Sequence, residues 1–525
     1  MKKINSSEPL LKQLDLFTTL FPFICIGALC LAFVLFPDGS SAMLDNIRSF
    51  LGDEMGSYYL IIGLGVFICS MYLAFSRYGS IRLGDSDKPE YSPFRWGSMM
   101  FTAGLAADIL FYSCCEWLIY AADPHVAEMG PTEDWASTYP LFHWGPVPWG
   151  FYLVLAVAFG FMLHVRKRHR QKYSESCRAL LGNKVDGWAG RLIDLVAVFA
   201  LLAGTATTFS LATPLLAMAV SRVLHINATT TLTITILVIV CCIYTCSVYF
   251  GMKGIQRSAA CCSYLFFLLL IYVFLLGGES RFTIETGITS LGLLTQNFIT
   301  LATWTDSMRT TSFPQTMTIF YWAYWMVWCV AAPFFIGAIS KGRTIRQTIL
   351  GGYFWGLAGT FTSFIILGNY GLGLQMHGRL NILSAYLADG GSNMALYNAI
   401  ISILEQLPLP GFVMILLVLC MITFYSTSFD SITLVAASYS YRELGHGQDP
   451  DRRIKLFWAI FLILMPIALI FSEKSMANLQ SVSIIAAFPV GIIMILIIAS
   501  FFKDANAYLK ETKNGHSHQT SFHAN

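Results

Sequence analysis

The stretch Ser481-Val-Ser-Ile-Ile-Ala-Ala-Phe-Pro-Val-Gly-Ile-Ile-Met-Ile-Leu-Ile-Ile-Ala-Ser-Phe-Phe502 carries no charged side chain. A helix needs roughly 20 such residues to cross the hydrocarbon layer, so the stretch reads as a membrane span. Working outward, comparable runs recur at 17–36, 58–76, 95–121, 141–164, 190–221, 230–250, 260–277, 315–340, 347–370, 410–438 and 455–472, giving twelve with 479–502. The runs are continuous rather than alternating, which excludes transmembrane strands. The composition agrees: 56% of the 525 residues are hydrophobic and 12% charged, with mean hydropathy +0.61. That is about half the charged fraction of a soluble domain, so the fold expected is an all-α polytopic membrane protein in the lipid bilayer.

A net charge of +3, carried by scattered residues, argues against a nucleic-acid partner. Thirteen cysteines lie almost wholly in apolar runs, so neither a disulfide framework nor a zinc site is expected. The first apolar run, Leu16 to Phe36, is too long for a signal-peptide core and reads as a retained span.

Lys and Arg concentrate in cytoplasmic loops. Arg77, Arg82, Lys88 and Arg95 follow the second run, and Arg166, Lys167, Arg168, Arg170, Lys172 and Arg178 follow the fourth. Lys253, Arg257, Lys341, Arg343, Arg346, Arg442, Arg452, Arg453 and Lys455 fall on the same side, whereas 122–140 holds no Lys or Arg. Both termini are therefore expected to be cytoplasmic, in a cell inner (plasma) membrane. Segments 278–314 and 383–407 mix apolar and polar residues on the outer side, as interfacial helices do. The resulting division is 1–94 (N-terminus and two peripheral helices), 95–277 (a five-helix repeat), 278–314 (an interfacial helix), 315–502 (a second five-helix repeat) and 503–525 (a short cytoplasmic tail), an arrangement of the inverted-repeat kind.

Three groups of residues violate the lipid rule. Asp108 and Glu116 sit in Gly104-Leu-Ala-Ala-Asp108-Ile-Leu-Phe-Tyr-Ser-Cys-Cys-Glu116-Trp117, and carboxylates inside a span normally face a cavity or a partner. Glu116 admits a second reading, a wetted residue near the outer end; Asp108 admits a second reading as a backbone cap beyond Gly104. Next, Phe142-His-Trp144-Gly145-Pro146-Val-Pro148-Trp149-Gly-Phe-Tyr152 and Phe320-Tyr321-Trp-Ala-Tyr324-Trp325-Met-Val-Trp328 each concentrate aromatic rings, the second with Tyr321, Trp325 and Trp328 at i, i+4 and i+7 on one helix face. One such cluster is explained by an interfacial belt. Two facing clusters are what a quaternary ammonium needs, because that cation has no N–H and is held by ring faces. Third, hydroxyls concentrate in Gly204-Thr205-Ala-Thr207-Thr208-Phe-Ser210 and Ser426-Thr427-Ser428-Phe-Asp430-Ser431. Bonding to their own helix backbone explains one or two of these; oxygen ligands for a hard cation such as sodium explain more. No HExxH, G-x-S-x-G or Walker sequence occurs, so no enzyme is expected.

In this order the three groups resemble the betaine/choline/carnitine transporter family from about Arg95 to Asp504. Phe142–Trp149, Phe320–Trp328, Lys253-Gly254-Ile-Gln and Thr427-Ser428-Phe-Asp430-Ser431 are the most specific pieces. The resemblance implies a LeuT-like core of two inverted five-helix repeats preceded by two extra helices, commonly a homotrimer, working by alternating access. It implies that Trp144, Trp149, Tyr152 and Trp325 form an aromatic box, that Trp328 lies on the inward path, and that Tyr324 stands where many members have Trp, which thins one wall of the box. It further implies one sodium site from Thr427, Ser428 and main-chain oxygens near Phe424, Thr102 and Leu105, and part of a second from Thr205 and Thr208. Leu201 and Ala331 depart from the usual second site. Exchangers of the family carry Arg at the position of Cys262 and Met at that of Ala332, so this chain resembles a sodium-coupled symporter more than an exchanger. Aspartate at 108, where betaine carriers have Gly, goes with choline, a cationic substrate. Sodium is thus expected as coupling ion, with no other cofactor. Carnitine, γ-butyrobetaine or glycine betaine is the alternative substrate group, and a channel or ligand sensor the alternative from another class.

Overall fold

A computed structural model of the chain describes residues 13–522 except 104–106, 169, 251, 445–449, 464–465 and 468–475. Every described element is helical, and the bridges among the described residues are the isolated pairs Leu14–Tyr441 and Arg82–Thr344. Six described helices are long and apolar enough to span a membrane: Gly56–Phe75, Thr132–Val165, Trp188–Leu224, Ile345–Met376, Pro410–Tyr439 and Ser481–Lys513. Two bent pairs bring the number up to eight where each is counted as one span: Ala260–Leu276 with Ser280–Thr303 at 110°, and Pro314–Trp328 with Ala332–Ile339 at 54°. Of the remaining runs, 17–36 and 230–250 form the continuous helices Leu16–Leu35 and Thr230–Phe250. The run 95–121 divides into Pro93–Ala103 and Ala107–Ala121, and 455–472 is described as a helix only over Arg452–Phe461.

The breaks have local causes. His143 ends one helix and Pro146 starts the next, leaving Trp144 and Gly145 non-helical at φ −109°, ψ 20° and φ −102°, ψ −146°. A Cβ on Gly145 would lie 2.2 Å from the Leu141 carbonyl oxygen, so only glycine lets the chain turn this tightly. Pro146 and Pro148 fit the first turn that follows, where no intrahelical amide donor is needed. The helix Ile319–Trp328 ends at a turn over 329–331, and Ala332–Ile339, with Pro333 in its first turn, then crosses Pro146–Gly160 closely. A Cβ on Gly337 would lie 2.7 Å from the Ala156 oxygen and 2.8 Å from the Gly160 nitrogen, the small-residue contact that lets two membrane helices approach. His164 Nε2 hydrogen-bonds the Gly337 and Ala338 oxygens (3.1 Å each) just beyond it.

The basic loop after Val165 is tied down. Arg166 and Arg168 both grip Asp504 (2.8 and 2.6 Å), holding the helix Met476–Phe522, which continues through the polar tail. Arg178 bridges Glu175 (2.5 Å) and Asp186 (2.8 Å), and the hydrogen bond from Arg178 pushes the Asp186 carboxyl down to about 2.

Candidate functional site

Trp325 is the hub. Its ring centroid lies 4.9 Å from Tyr152, 5.5 Å from Trp144 and 5.8 Å from Trp149, and Trp149 lies 5.9 Å from Tyr152. Four side chains from two segments far apart in sequence thus meet in one buried cluster. Each is delivered by a feature already described: Trp144 by the Gly145 break, Trp149 and Tyr152 by the first turns after Pro146, and Trp325 by a helix face. Trp149 is backed by glycine, since a Cβ on Gly356 would press 2.6 Å from its ring. The rings touch one another, so a cation within ~6 Å of several centroids needs Trp325 to part from its neighbours.

Tyr321 shares the face of Trp325 and reaches Trp144 at 6.2 Å. Trp328 does not continue that wall: it packs on Gly204 of Trp188–Leu224, 3.3 Å from where a Cβ would stand, and among the described residues has no ring contact with the box. Tyr324 also points elsewhere. Its hydroxyl is hydrogen-bonded to Asp108 Oδ2 and to Thr208 Oγ1 (2.6 Å), and its ring stacks on Phe320.

Asp108 occupies the first turn of Ala107–Ala121, where the helix N-terminus favours a carboxylate. Its Oδ1 is buried without a hydrogen-bond partner among the described residues, as are Trp149 Nε1 and Trp325 Nε1. One acceptor and two donors are therefore available at the cluster.

Glu116 is fully buried, which excludes the wetted reading. Its Oε2 accepts from Trp144 Nε1 (2.8 Å) and its Oε1 from the Tyr120 hydroxyl (2.6 Å). That hydroxyl also meets His143 Nδ1 (2.5 Å), and His143 Nε2 meets Thr318 Oγ1 (3.1 Å). The His143 ring stacks on Tyr321 at 4.7 Å. Tyr112, Tyr120 and His143 are site residues that sequence reasoning passed over. The signal was present, because Asp108, Tyr112, Glu116 and Tyr120 recur every four residues and line one helix face. Tyr112 stands between Trp144 (5.4 Å) and Tyr321 (5.7 Å) and so joins the two aromatic walls.

The hydroxyl residues are less assembled. Thr427 Oγ1 donates to the Phe424 oxygen (3.0 Å) and the Thr423 oxygen (3.2 Å), and Thr205 Oγ1 to the Leu201 oxygen (2.6 Å). Both follow the backbone-bonding pattern of membrane helices. Ser428 is half-buried and Phe424 buried beside them. The side chain of Thr102 and the whole of Leu105 lie outside the described residues. A pair missed in the sequence joins helices instead: Thr207 Oγ1 and Ser483 Oγ lie 3.0 Å apart.

The family model for BCCT, the betaine/carnitine/choline family transporters, matches residues 17–510, nearly the whole chain. The protein belongs to the betaine/carnitine/choline family of transporters. A carnitine transporter of Acinetobacter baumannii is 28% identical over 443 residues, 83% of this chain and 79% of that protein. An uncharacterized transporter of Escherichia coli K12, YeaV, is 27% identical over 449 residues, 85% of this chain and 91% of the relative. As a family member the protein is a multi-pass membrane transporter, and the buried aromatic cluster is its candidate substrate site.

Proposed function

We propose that the protein imports a quaternary ammonium compound, choline first among them, by alternating access and in symport with sodium. The observation that carries this reading is the convergence of Trp144, Trp149, Tyr152 and Trp325 on one buried point. Ring faces hold a cation that offers no N–H. Asp108 supports choline over a zwitterion, because an ionised carboxylate beside the box attracts a cationic substrate and repels a substrate carboxylate. Its free Oδ1 suits the choline hydroxyl as a donor. Sodium coupling rests on Thr427, Ser428 and the main chain at Phe424. Neutral hydroxyl and carbonyl oxygens of this kind are ligands that a hard cation accepts. Thr102 and Leu105 belong to the same proposed site, and Thr205 and Thr208 to a second.

The architecture that accompanies this reading has twelve spans, two inverted five-helix repeats of LeuT type, both termini cytoplasmic in the inner membrane, and a homotrimer. Carnitine is the second reading. The unpartnered Trp149 and Trp325 N–H groups can take a carboxylate, and one relative bears the name of a carnitine transporter. Uptake into proteoliposomes decides: labelled choline, carnitine and glycine betaine are compared in sodium and in potassium media at fixed pH. Saturable, sodium-dependent choline uptake with counterflow is expected. Preference for carnitine favours the second reading, and absence of exchange stimulation favours a channel.

A further inference from the structure

Glu116 is a carboxylate with no ion pair. Among the described residues no lysine or arginine touches it, and its two oxygens are held by Trp144 and Tyr120, with the Tyr321 hydroxyl hydrogen-bonded beside them. The proton arithmetic of the chain Glu116–Tyr120–His143–Thr318 admits two neutral arrangements. In one, protonated Glu116 donates to the Tyr120 oxygen and Tyr120 donates to His143 Nδ1. In the other, Tyr120 donates to ionised Glu116, and a doubly protonated His143 donates from Nδ1 to Tyr120 and from Nε2 to Thr318. The two differ only by sliding protons along hydrogen bonds of 2.6 and 2.5 Å. Removing one proton leaves ionised Glu116, neutral His143 with its proton on Nδ1, and Thr318 donating to Nε2; every hydrogen bond is kept. The chain therefore exchanges one proton without rearranging any side chain.

The charge so produced lies one hydrogen bond from the box, because Glu116 Oε2 holds the indole N–H of Trp144, whose ring faces Trp325 at 5.5 Å. We infer that Glu116, Tyr120 and His143 form a one-proton site wired to the substrate cluster through Trp144, so that binding of a quaternary cation expels a proton. The reaction balances as protonated site plus cation giving ionised site with bound cation plus a proton released to solvent. This rests on the quaternary ammonium reading for the occupant of the box, but not for the existence of the site.

The other titratable groups that face the site are few. On its own helix they are Asp108, Tyr112 and Cys115. From Thr132–His143 comes Tyr139, which reaches His125 at 3.2 Å, with Asp123 beyond. Ile319–Trp328 presents Tyr321, whose hydroxyl hydrogen-bonds Glu116 and Tyr120, Asn393–Glu405 presents Tyr397, and Pro410–Tyr439 presents Tyr425. Asp108 is the one other acid on the helix face, eight residues or about 12 Å away along the axis, and it is bonded to Tyr324. Of the hydroxyls that hydrogen-bond Glu116, Tyr120 is the one bonded onward to an imidazole among the described residues, so the acid–base partner is the Tyr120–His143 pair.

The experiment uses the full chain in lipid nanodiscs with choline as probe. Calorimetry in two buffers of different ionisation enthalpy counts protons released on binding, between roughly pH 5.5 and 8.5, the range in which a histidine-linked site titrates. A count approaching one at the acid end is expected, with affinity rising by up to tenfold per pH unit until the site is ionised. Glu116→Gln should bind with pH-independent affinity and release no proton, and Tyr120→Phe, which cuts the carboxyl from the imidazole, should shift the titration. Infrared difference spectra supply a substrate-free readout: a protonated-carboxyl band that titrates in the wild type and is missing in Glu116→Gln. Wild-type binding with no proton release overturns the linkage, and lack of such a band overturns the site. If choline, carnitine and betaine all fail to bind while the band titrates, the substrate reading falls and the proton site stands.

Discussion

Trp325 is the residue whose replacement tests the aromatic cluster most directly, since its ring touches all three other box members at 4.9–5.8 Å. Trp325→Leu retains a bulky apolar side chain but removes a ring face. A desolvated cation–π contact is worth ~2 kcal/mol, and 1.4 kcal/mol is tenfold in affinity, so the dissociation constant for choline should rise about 25-fold. The same substitution dissolves three ring pairs worth about 0.5–1.5 kcal/mol each, partly offset by the leucine, so the melting temperature should fall by several degrees with folding intact. Trp325→Phe separates the two effects: it keeps a face and should lose roughly threefold in affinity. The assay is equilibrium binding of choline in nanodiscs, with thermal unfolding of the same samples as control. An unchanged dissociation constant for Trp325→Leu refutes the box. Equal losses for Leu and Phe show that volume rather than the ring face matters.

Gly145→Ala places a methyl 2.2 Å from the Leu141 oxygen and should destabilise the fold by about 3 kcal/mol or more, whereas Gly411→Ala, with nothing within 4 Å, should leave thermal unfolding within a degree or two. The double substitution Thr427→Ala/Ser428→Ala should abolish the sodium dependence of uptake or uptake itself; equal wild-type uptake in sodium and potassium at fixed pH would sink sodium coupling. Asp108→Asn removes the charge but keeps a partner for Tyr324, so choline should lose its advantage over glycine betaine in competition, and an unaltered ranking of choline, carnitine and betaine defeats the charge argument. Asp186, held down to about 2 by Arg178, contributes to loop order above the ordinary carboxylate range, and that contribution is lost as pH falls from about 4 to about 2. Pepsin should therefore begin to cut the 166–187 loop within that window, and Asp186→Asn should be cut already at its upper edge.

What the sequence determined by itself was whatever depends on period and on neighbours in the chain. Continuous apolar runs specify membrane helices because backbone polar groups must be satisfied inside lipid. Gly145 between His143 and Pro146 announces a break because no other residue fits there, and the tryptophans beside it are legible for the same reason. The grouping of Trp144, Trp149, Tyr152 and Trp325 was likewise readable, through residue type and the family resemblance. Direction was not. Helical spacing put Trp328 on the face of Trp325, yet the helix ends there and Trp328 turns to Gly204, a contact set by a partner helix over a hundred residues away. Tyr324 read as a thinner box wall and instead bridges Asp108 and Thr208. Glu116 was equally compatible with solvent and with burial, because depth along a helix does not say what packs against it. Only the tertiary structure, by seating Thr132–His143 and the start of Ile319–Trp328 against that face, enclosed the carboxylate and joined it to Tyr120, His143 and Trp144. A hydrogen bond between residues that far apart is decided by the crossing of helices, and no periodicity within one segment encodes it.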